Sequence, residues 1–298
     1  MVTVGQNGRL AVYHNGGSTH VRIDVHGYFT NSAGGGLVAV EHGRVVDTRD
    51  GTGMIPTNGS RTVTLTGSGI PAGASNALLG VTVVGAASGG YLSAYPAGGA
   101  ADPSSVVDYA GGTTSQGIAV ALSSAGTVTF VNRGPAVHLV LVQQGCVTAS
   151  PSSGADLRTT QPLTVADTRA NGGAPLAAKG GLIVKLTGAN GLPLNAMDGA
   201  FISVTTIGPT ASGFVTVEPS GLFPATEDGP VVLNPPASNV TAGQHARTTM
   251  VVTKVGRIVT DRPNVSKPGE IRILNVSSGT VHVVVTLHGW FNQPVGSN

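Results

Sequence analysis

The sequence predicts an all-β protein: two tandem antiparallel modules, sandwich-like or barrel-like, behind an N-terminal orphan β-hairpin. Three observations carry that expectation. The composition is weighted to Val, Thr, Ser and Gly, with 45 glycines and 18 prolines in 298 residues, which suits short strands joined by tight turns. β-Branched side chains fit pleated surfaces and Gly supplies positive φ. Amphipathic runs with a period of 3.6 do not occur. Finally, several landmarks recur in fixed order, as they do in a repeated unit.

Val46-Asp47-Thr48-Arg49 returns as Ala166-Asp167-Thr168-Arg169, 120 positions on. Gly69-Ile70-Pro71 returns as Gly191-Leu192-Pro193, and Ser88-Gly89-Gly90-Tyr91-Leu92-Ser93-Ala94-Tyr95-Pro96 as Ser212-Gly213-Phe214-Val215-Thr216-Val217-Glu218-Pro219. A fourth landmark occurs three times. Gly126 to Asn132 followed by Val137 to Gly145 matches Gly269 to Asn275 followed by Val281 to Phe291, and Gly8 to Asn15 followed by Thr19 to Phe29. Each copy reads as an alternating strand, an Asn/Gly/Ser turn and a second alternating strand, the pattern of a hairpin with one buried face. Residues 1–30 are therefore expected to be the last hairpin of an incomplete unit, 37–148 one full module and 157–292 another. The small polar stretch from Thr148 to Ala155 links them. The Pro- and charge-bearing stretch from Val259 to Pro268, which lengthens the second module, is expected to be a surface loop.

Only 10% of residues are charged, 16 basic against 14 acidic and scattered, so no basic stripe is available to neutralise phosphates and nucleic acid is not an expected partner. The single cysteine, Cys146, makes no intramolecular disulfide. Residues 1–6 carry neither a basic n-region nor an apolar h-region, so no secretory signal is read there, and no apolar run is long enough to span a bilayer as a helix.

These landmarks resemble a repeat common in exported and surface proteins of actinobacteria. Its members carry a Val-Asp-Thr-Arg-x-Gly-x-Gly start, here Val46 to Gly53, and a Val-Asp-Val-x-Gly-Tyr-Phe end, here Ile23-Asp24-Val25-His26-Gly27-Tyr28-Phe29. The likeness covers nearly the whole chain. Members often sit beside hydrolase or peptidase domains, which implies an accessory role at cell walls or extracellular polymers, and the resemblance transfers no catalytic residues. The chain departs from the pattern at Gln144-Gly145-Cys146-Val147, which replaces the aromatic ending, and at Arg169-Ala170-Asn171-Gly172-Gly173, which loosens the Gly-x-Gly turn.

Asp47 with Arg49, and Asp167 with Arg169, are the foremost polar candidates, because residues two apart share a strand face and can pair at its end or meet a ligand. Asp-Thr after apolar residues is also found in aspartic peptidases, but their loop needs Gly where Arg49 and Arg169 stand. Asp47, Asp50, Gly51 and Gly53 lack the ligand spacing of a calcium loop, and the second copy lacks the second acid. His20, His138 and His282 occupy equivalent positions, each alone in its unit, so no metal site and no cofactor is expected. No nucleophile elbow, phosphate loop or dinucleotide fingerprint appears. Tyr91 and Tyr95 share a strand face and form a candidate platform for sugar rings, although Phe214 and Glu218 replace them in the second unit.

The expected function is a non-catalytic extracellular or cell-surface module for binding and adhesion, recognising cell-wall glycan or another surface polymer. The alternative is a structural subunit of a filament, phage tail or similar particle that binds copies of itself by strand complementation. Tyr13, Tyr28 and Phe29 of the first hairpin would then take part in assembly.

Overall fold

A computed structural model describes residues 4–28, 35–101, 104–148, 154–188, 192, 197–220, 238–240, 246–256 and 268–292. Among them every regular element apart from short 3₁₀ turns is a strand, and every paired strand is antiparallel. The first module holds β1 (Leu37–Asp47), β2 (Ser60–Thr64), β3 (Ala74–Ala86), β4 (Gly90–Pro96), β5 (Val107–Tyr109), β6 (Gly112–Ala121), β7 (Thr127–Arg133) and β8 (His138–Thr148). They form two sheets, ordered β1-β8-β3-β6 and β2-β7-β4-β5. The second holds β9 (Leu157–Asp167), β10 (Gly181–Lys185), β11 (Gly199–Ile207), β12 (Gly213–Pro219), β13 (Ser238–Val240), β14 (Ala246–Lys254), β15 (Glu270–Asn275) and β16 (His282–Phe291). Its sheets run β9-β16-β11-β14 and β10-β15-β12-β13, the same order again. Each module is thus an antiparallel sandwich, and no closed barrel occurs among the described residues.

Alternation explains the cores. Leu79, Val81 and Val83 of β3 and Leu139 and Leu141 of β8 meet Leu92 of β4 and Val128 and Phe130 of β7 inside the first sandwich. Ile202, Val204, Val283 and Val285 meet Val215, Val217, Ile271 and Ile273 inside the second. β3 and β8 depart from simple alternation, with long unbroken buried runs, because their sheet is covered on both faces. The outward face lies against the second module, where Leu37, Ala39 and Leu78 pack with Phe201, Val252 and Phe291. The last two aromatic rings meet edge to face, centroids 6.1 Å apart.

Two expectations need correction. The paired strands read as a hairpin are not hydrogen-bonded to each other: β7 joins β2 and β4 in one sheet, whereas β8 joins β1 and β3 in the other. The same holds for β15 and β16. They form an arch over the core, and periodicity cannot tell the two apart, since it reveals which face is buried and not which strand is the neighbour. Among its described residues the N-terminal copy forms no strand. Residues 9–28 are without a ladder, and Val21 and Ile23 are each 58% exposed where their equivalents Leu139 and Leu141 are 0%. Without two flanking sheets, an isolated strand pair buries too little to offset its ordering. Phe29 lies outside the described residues, as do Gly191, Pro193 and most of the 259–268 insertion.

Candidate functional site

The outer face of the sheet β2-β7-β4-β5 carries the two tyrosines singled out above and several Ser and Thr side chains. Leu92 points into the core, so Tyr91, Ser93 and Tyr95 project to the other side of β4. Register extends each into a row across the sheet. Tyr95 is opposite Thr129, which is opposite Thr62; Ser93 is opposite Val131, which is opposite Ser60; Tyr91 has Arg133 on one side and Asp108 on the other. The Thr62 and Thr129 hydroxyls are 2.8 Å apart, and Ser105 donates to Asp108 at 2.8 Å. Both tyrosines are half-buried, while Arg133 and Asp108 are exposed. The result is a face on which the backbone positions of two half-buried tyrosines are about 13 Å apart, from four residues at about 3.3 Å each. Ser93 and Val131 between them and Thr129 beside Tyr95 are buried, Ser60 and Thr62 on the edge strand β2 are exposed, and one charge of each sign flanks Tyr91.

The second module builds its corresponding face differently. Register there aligns Glu218 with Arg272 and Arg272 with Ile183, and Glu218 and Arg272 form an ion pair. Burial pushes the Glu218 carboxyl above its usual range, against the pull of Arg272. Phe214 stands where Tyr91 does, and Glu218 stands where Tyr95 does.

The Asp-Arg pairs close the ends of β1 and β9. Arg49 gives its backbone N–H and Nε–H to Asp47 Oδ1 (3.1 and 2.8 Å) and Nη2 to Oδ2 (2.6 Å), while Arg44 adds Nη1 at 2.7 Å. Arg169 repeats the fork on Asp167 at 2.9, 2.9 and 2.8 Å. The intervening threonine staples the next strand of the sheet. Thr48 Oγ1 accepts from Leu139 N and meets His138 Nδ1, and Thr168 Oγ1 does the same with Val283 N and His282 Nδ1. The repeated Asp-Thr-Arg and His therefore form one joint, in which both carboxylate oxygens are engaged. Among the described residues no group of three or more potential metal ligands gathers. Cys146 is buried in the first core, and burial pushes its thiol up to about 11, so it carries no thiolate at neutral pH.

The fork has a pH signature. Hydrogen bonds from Arg49 hold Asp47 down to about 2, against burial. A depressed carboxyl stabilises the fold above its ordinary value of 3.8 and loses that contribution as pH falls through the folded value. With its side chain 2% exposed but its arginines about 40% exposed, solvent screening leaves about 1–2 kcal/mol. Urea unfolding of the wild type should lose this between pH 4 and 2, and Asp47→Asn should flatten that part of the profile. An unchanged acid slope in the variant would argue against the fork.

Sequence reading passed over the two buried asparagines, using them only as landmarks. Asn132 gives Nδ2 to the carbonyls of Pro56 and Pro135 (3.1 and 2.6 Å) and takes the Tyr109 hydroxyl at Oδ1. Asn275 gives Nδ2 to Ala177 and Gly279 (2.9 and 2.8 Å) and takes Ser277 at Oδ1. Their equal spacing, six positions after Gly126 and Gly269, was the available signal. His42 and Gln144, which join the modules, left none.

No protein-family model matches the chain, and no curated protein matches it. Among solved structures it is similar to the PBSX exported protein XepA, at 15% identity and a TM-score of 0.23, over 83% of this chain and 85% of that one. It is also similar to the M60 catalytic domain with the CBM51-1 and CBM51-2 domains from Clostridium perfringens ZmpB, at 9% identity and a TM-score of 0.20, over 88% of this chain and 37% of that one.

Proposed function

We propose that this chain is a non-catalytic extracellular binding module whose Tyr91–Tyr95 face stacks against the sugar rings of a cell-wall glycan or another surface polymer. The observation that carries the reading is the placement of both tyrosines, half-open, on one outward sheet face, with the exposed hydroxyls of Ser60 and Thr62 on its edge strand. Aromatic faces pair with the apolar C–H faces of sugars, and neighbouring hydroxyls exchange hydrogen bonds with sugar hydroxyls. Low charge suits a neutral polymer, and linkage to further modules would raise weak affinity by effective concentration.

A second reading, a subunit assembled by strand complementation, is supported by a different observation. Leu10, Val12, Tyr13, Val21, Ile23, Val25 and Tyr28 are all exposed, an alternating apolar set with no sheet to cover it.

Co-sedimentation with purified insoluble peptidoglycan, alongside light scattering of the free protein, tests both. The binding reading expects a protein that pellets with the polymer and a Tyr91→Ala/Tyr95→Ala double variant, still strand-rich by circular dichroism, that binds about tenfold or more weakly. Equal pelleting of wild type and variant, or none by the wild type, counts against it. Large particles that vanish when residues 8–28 are deleted would favour assembly.

A further inference from the structure

We infer that His42 and Gln144 form an acid-release latch, which holds the two sandwiches in one orientation at neutral pH and lets them part when the His42 ring gains a second proton. The latch comes from two irregularities side by side. On β1, Val40, Glu41 and His42 are opposite Gln144 alone, because the register passes from Ala39↔Gly145 to Gly43↔Gln143. On β8, Gln144 is itself an extra residue against β3, between Leu78↔Gly145 and Leu79↔Gln143. Bulges re-aim side chains out of the pleat, and here they send His42 and Gln144 across to the second module.

Both end on one residue. His42 Nε2 donates to the Val252 carbonyl at 2.9 Å, and Gln144 Oε1 accepts from the Val252 N–H at 2.9 Å. Val252 belongs to β14, the edge strand of its sheet, so two side chains of one module satisfy edge backbone groups of the other that would otherwise need water. Both side chains are 3% exposed. Nε2 carries the proton that the carbonyl needs, which leaves Nδ1 bare; it is buried with no hydrogen-bond partner. A second proton must go there.

Burial and the nearest charge oppose it, and only backbone carbonyls favour it. β8 offers the uncharged Gln143 and Gln144. β14 brings Lys254, whose charge opposes protonation, and β12 brings the Val217 carbonyl near the ring, with the neighbouring Glu218 engaged by Arg272. On β1 itself Glu41 and Arg44 are exposed, and Arg44 is held by Asp47. Burial pushes the ring down to about 4, more than the Val252 and Val217 carbonyls can restore.

The sign follows from linkage. Above pH 6.5 neither the docked nor the parted form binds the extra proton, so docking is at full strength. Between 6.5 and about 4 only the parted form takes it up, and docking weakens tenfold per pH unit, to a limit of about 300-fold. This window lies above that of Asp47, so the sandwiches should part before either loses its forked joint.

Small-angle scattering of the full chain from pH 7.5 to 3.5, with circular dichroism on the same samples, is the test. The wild type should expand between pH 6 and 4 with its strand signal unchanged. His42→Gln, which keeps a donor for the Val252 carbonyl and cannot titrate, should stay closed across that range. Gln144→Leu, which removes the other hold, should open at a higher pH than wild type. Constant dimensions down to pH 4, expansion of His42→Gln at the same pH as wild type, or loss of strand signal together with the expansion would each overturn the latch. Should His42→Gln fail to fold, the Gln144→Leu shift and the titration of the His42 ring by NMR decide instead, a ring titrating near 6.5 in the closed protein being the adverse result.

Discussion

Asn132→Ala is expected to lower the stability of the first sandwich by about 3 kcal/mol, more than any exposed substitution in the chain. The amide sits fully buried where β7 leaves the core. Its two ends do separate work: Nδ2 ties down the Pro56 and Pro135 carbonyls, and Oδ1 takes the Tyr109 hydroxyl, itself buried. Removing the side chain strands polar groups on both sides, at about 1–3 kcal/mol for each group left without water or partner. For a module of about this size that corresponds to a melting point lower by roughly 10–20 °C. Asn275→Ala should act alike on the second sandwich, since Asn275 binds the turn at Ala177 and Gly279. Calorimetry resolves the two, because each variant should move a different part of the transition. A loss below about 1 kcal/mol in either would mean that water replaces the amide at little cost.

Gly117→Ala should separate the modules at every pH. An ideal Cβ at Gly117 of β6 would lie 2.0 Å from the Met250 carbonyl oxygen of β14, and the obstacle is backbone, which no rotamer change can move. The sheets must part or shift, at a cost of about 1–3 kcal/mol if the strain can spread. The Val252 amide, held by Gln144, should then exchange with deuterium much faster, while amides of the two inner cores stay protected. Unchanged Val252 protection would show that the close approach is not needed for docking. The contrast with His42 is informative, since a steric wedge acts at all pH values and a titrating ring acts only in acid.

Parts of this molecule were legible in one dimension. Val and Thr alternation with frequent Gly specified antiparallel strands, because period 2 and turn chemistry are local properties of the chain. The recurrence of Asp-Thr-Arg pointed to a paired carboxylate and guanidinium in both modules, but not to the geometry. β1 and β9 end at Asp47 and Asp167, and Arg49 and Arg169 lie in the turns beyond, Arg169 in the right-handed helical region, so each fork closes a turn and does not span one strand face. The shared face of Tyr91 and Tyr95 was legible because both lie within β4, where residues an even number apart share a face.

Other features arise only when distant strands meet. Whether β7 and β8 form a hairpin or an arch depends on which strands flank them, and β1 to β6 decide that. The unbroken burial of β3 and β8 reflects a second module on their outer face, and the isolated N-terminal copy stays without strands for want of such covering. His42 and Gln144 lie 210 and 108 positions from Val252, and only two bulges in neighbouring strands aim them there. Local sequence fixes which way a side chain faces; what it faces is set by tertiary packing, because hydrogen bonds and burial act between surfaces that the chain brings together only on folding.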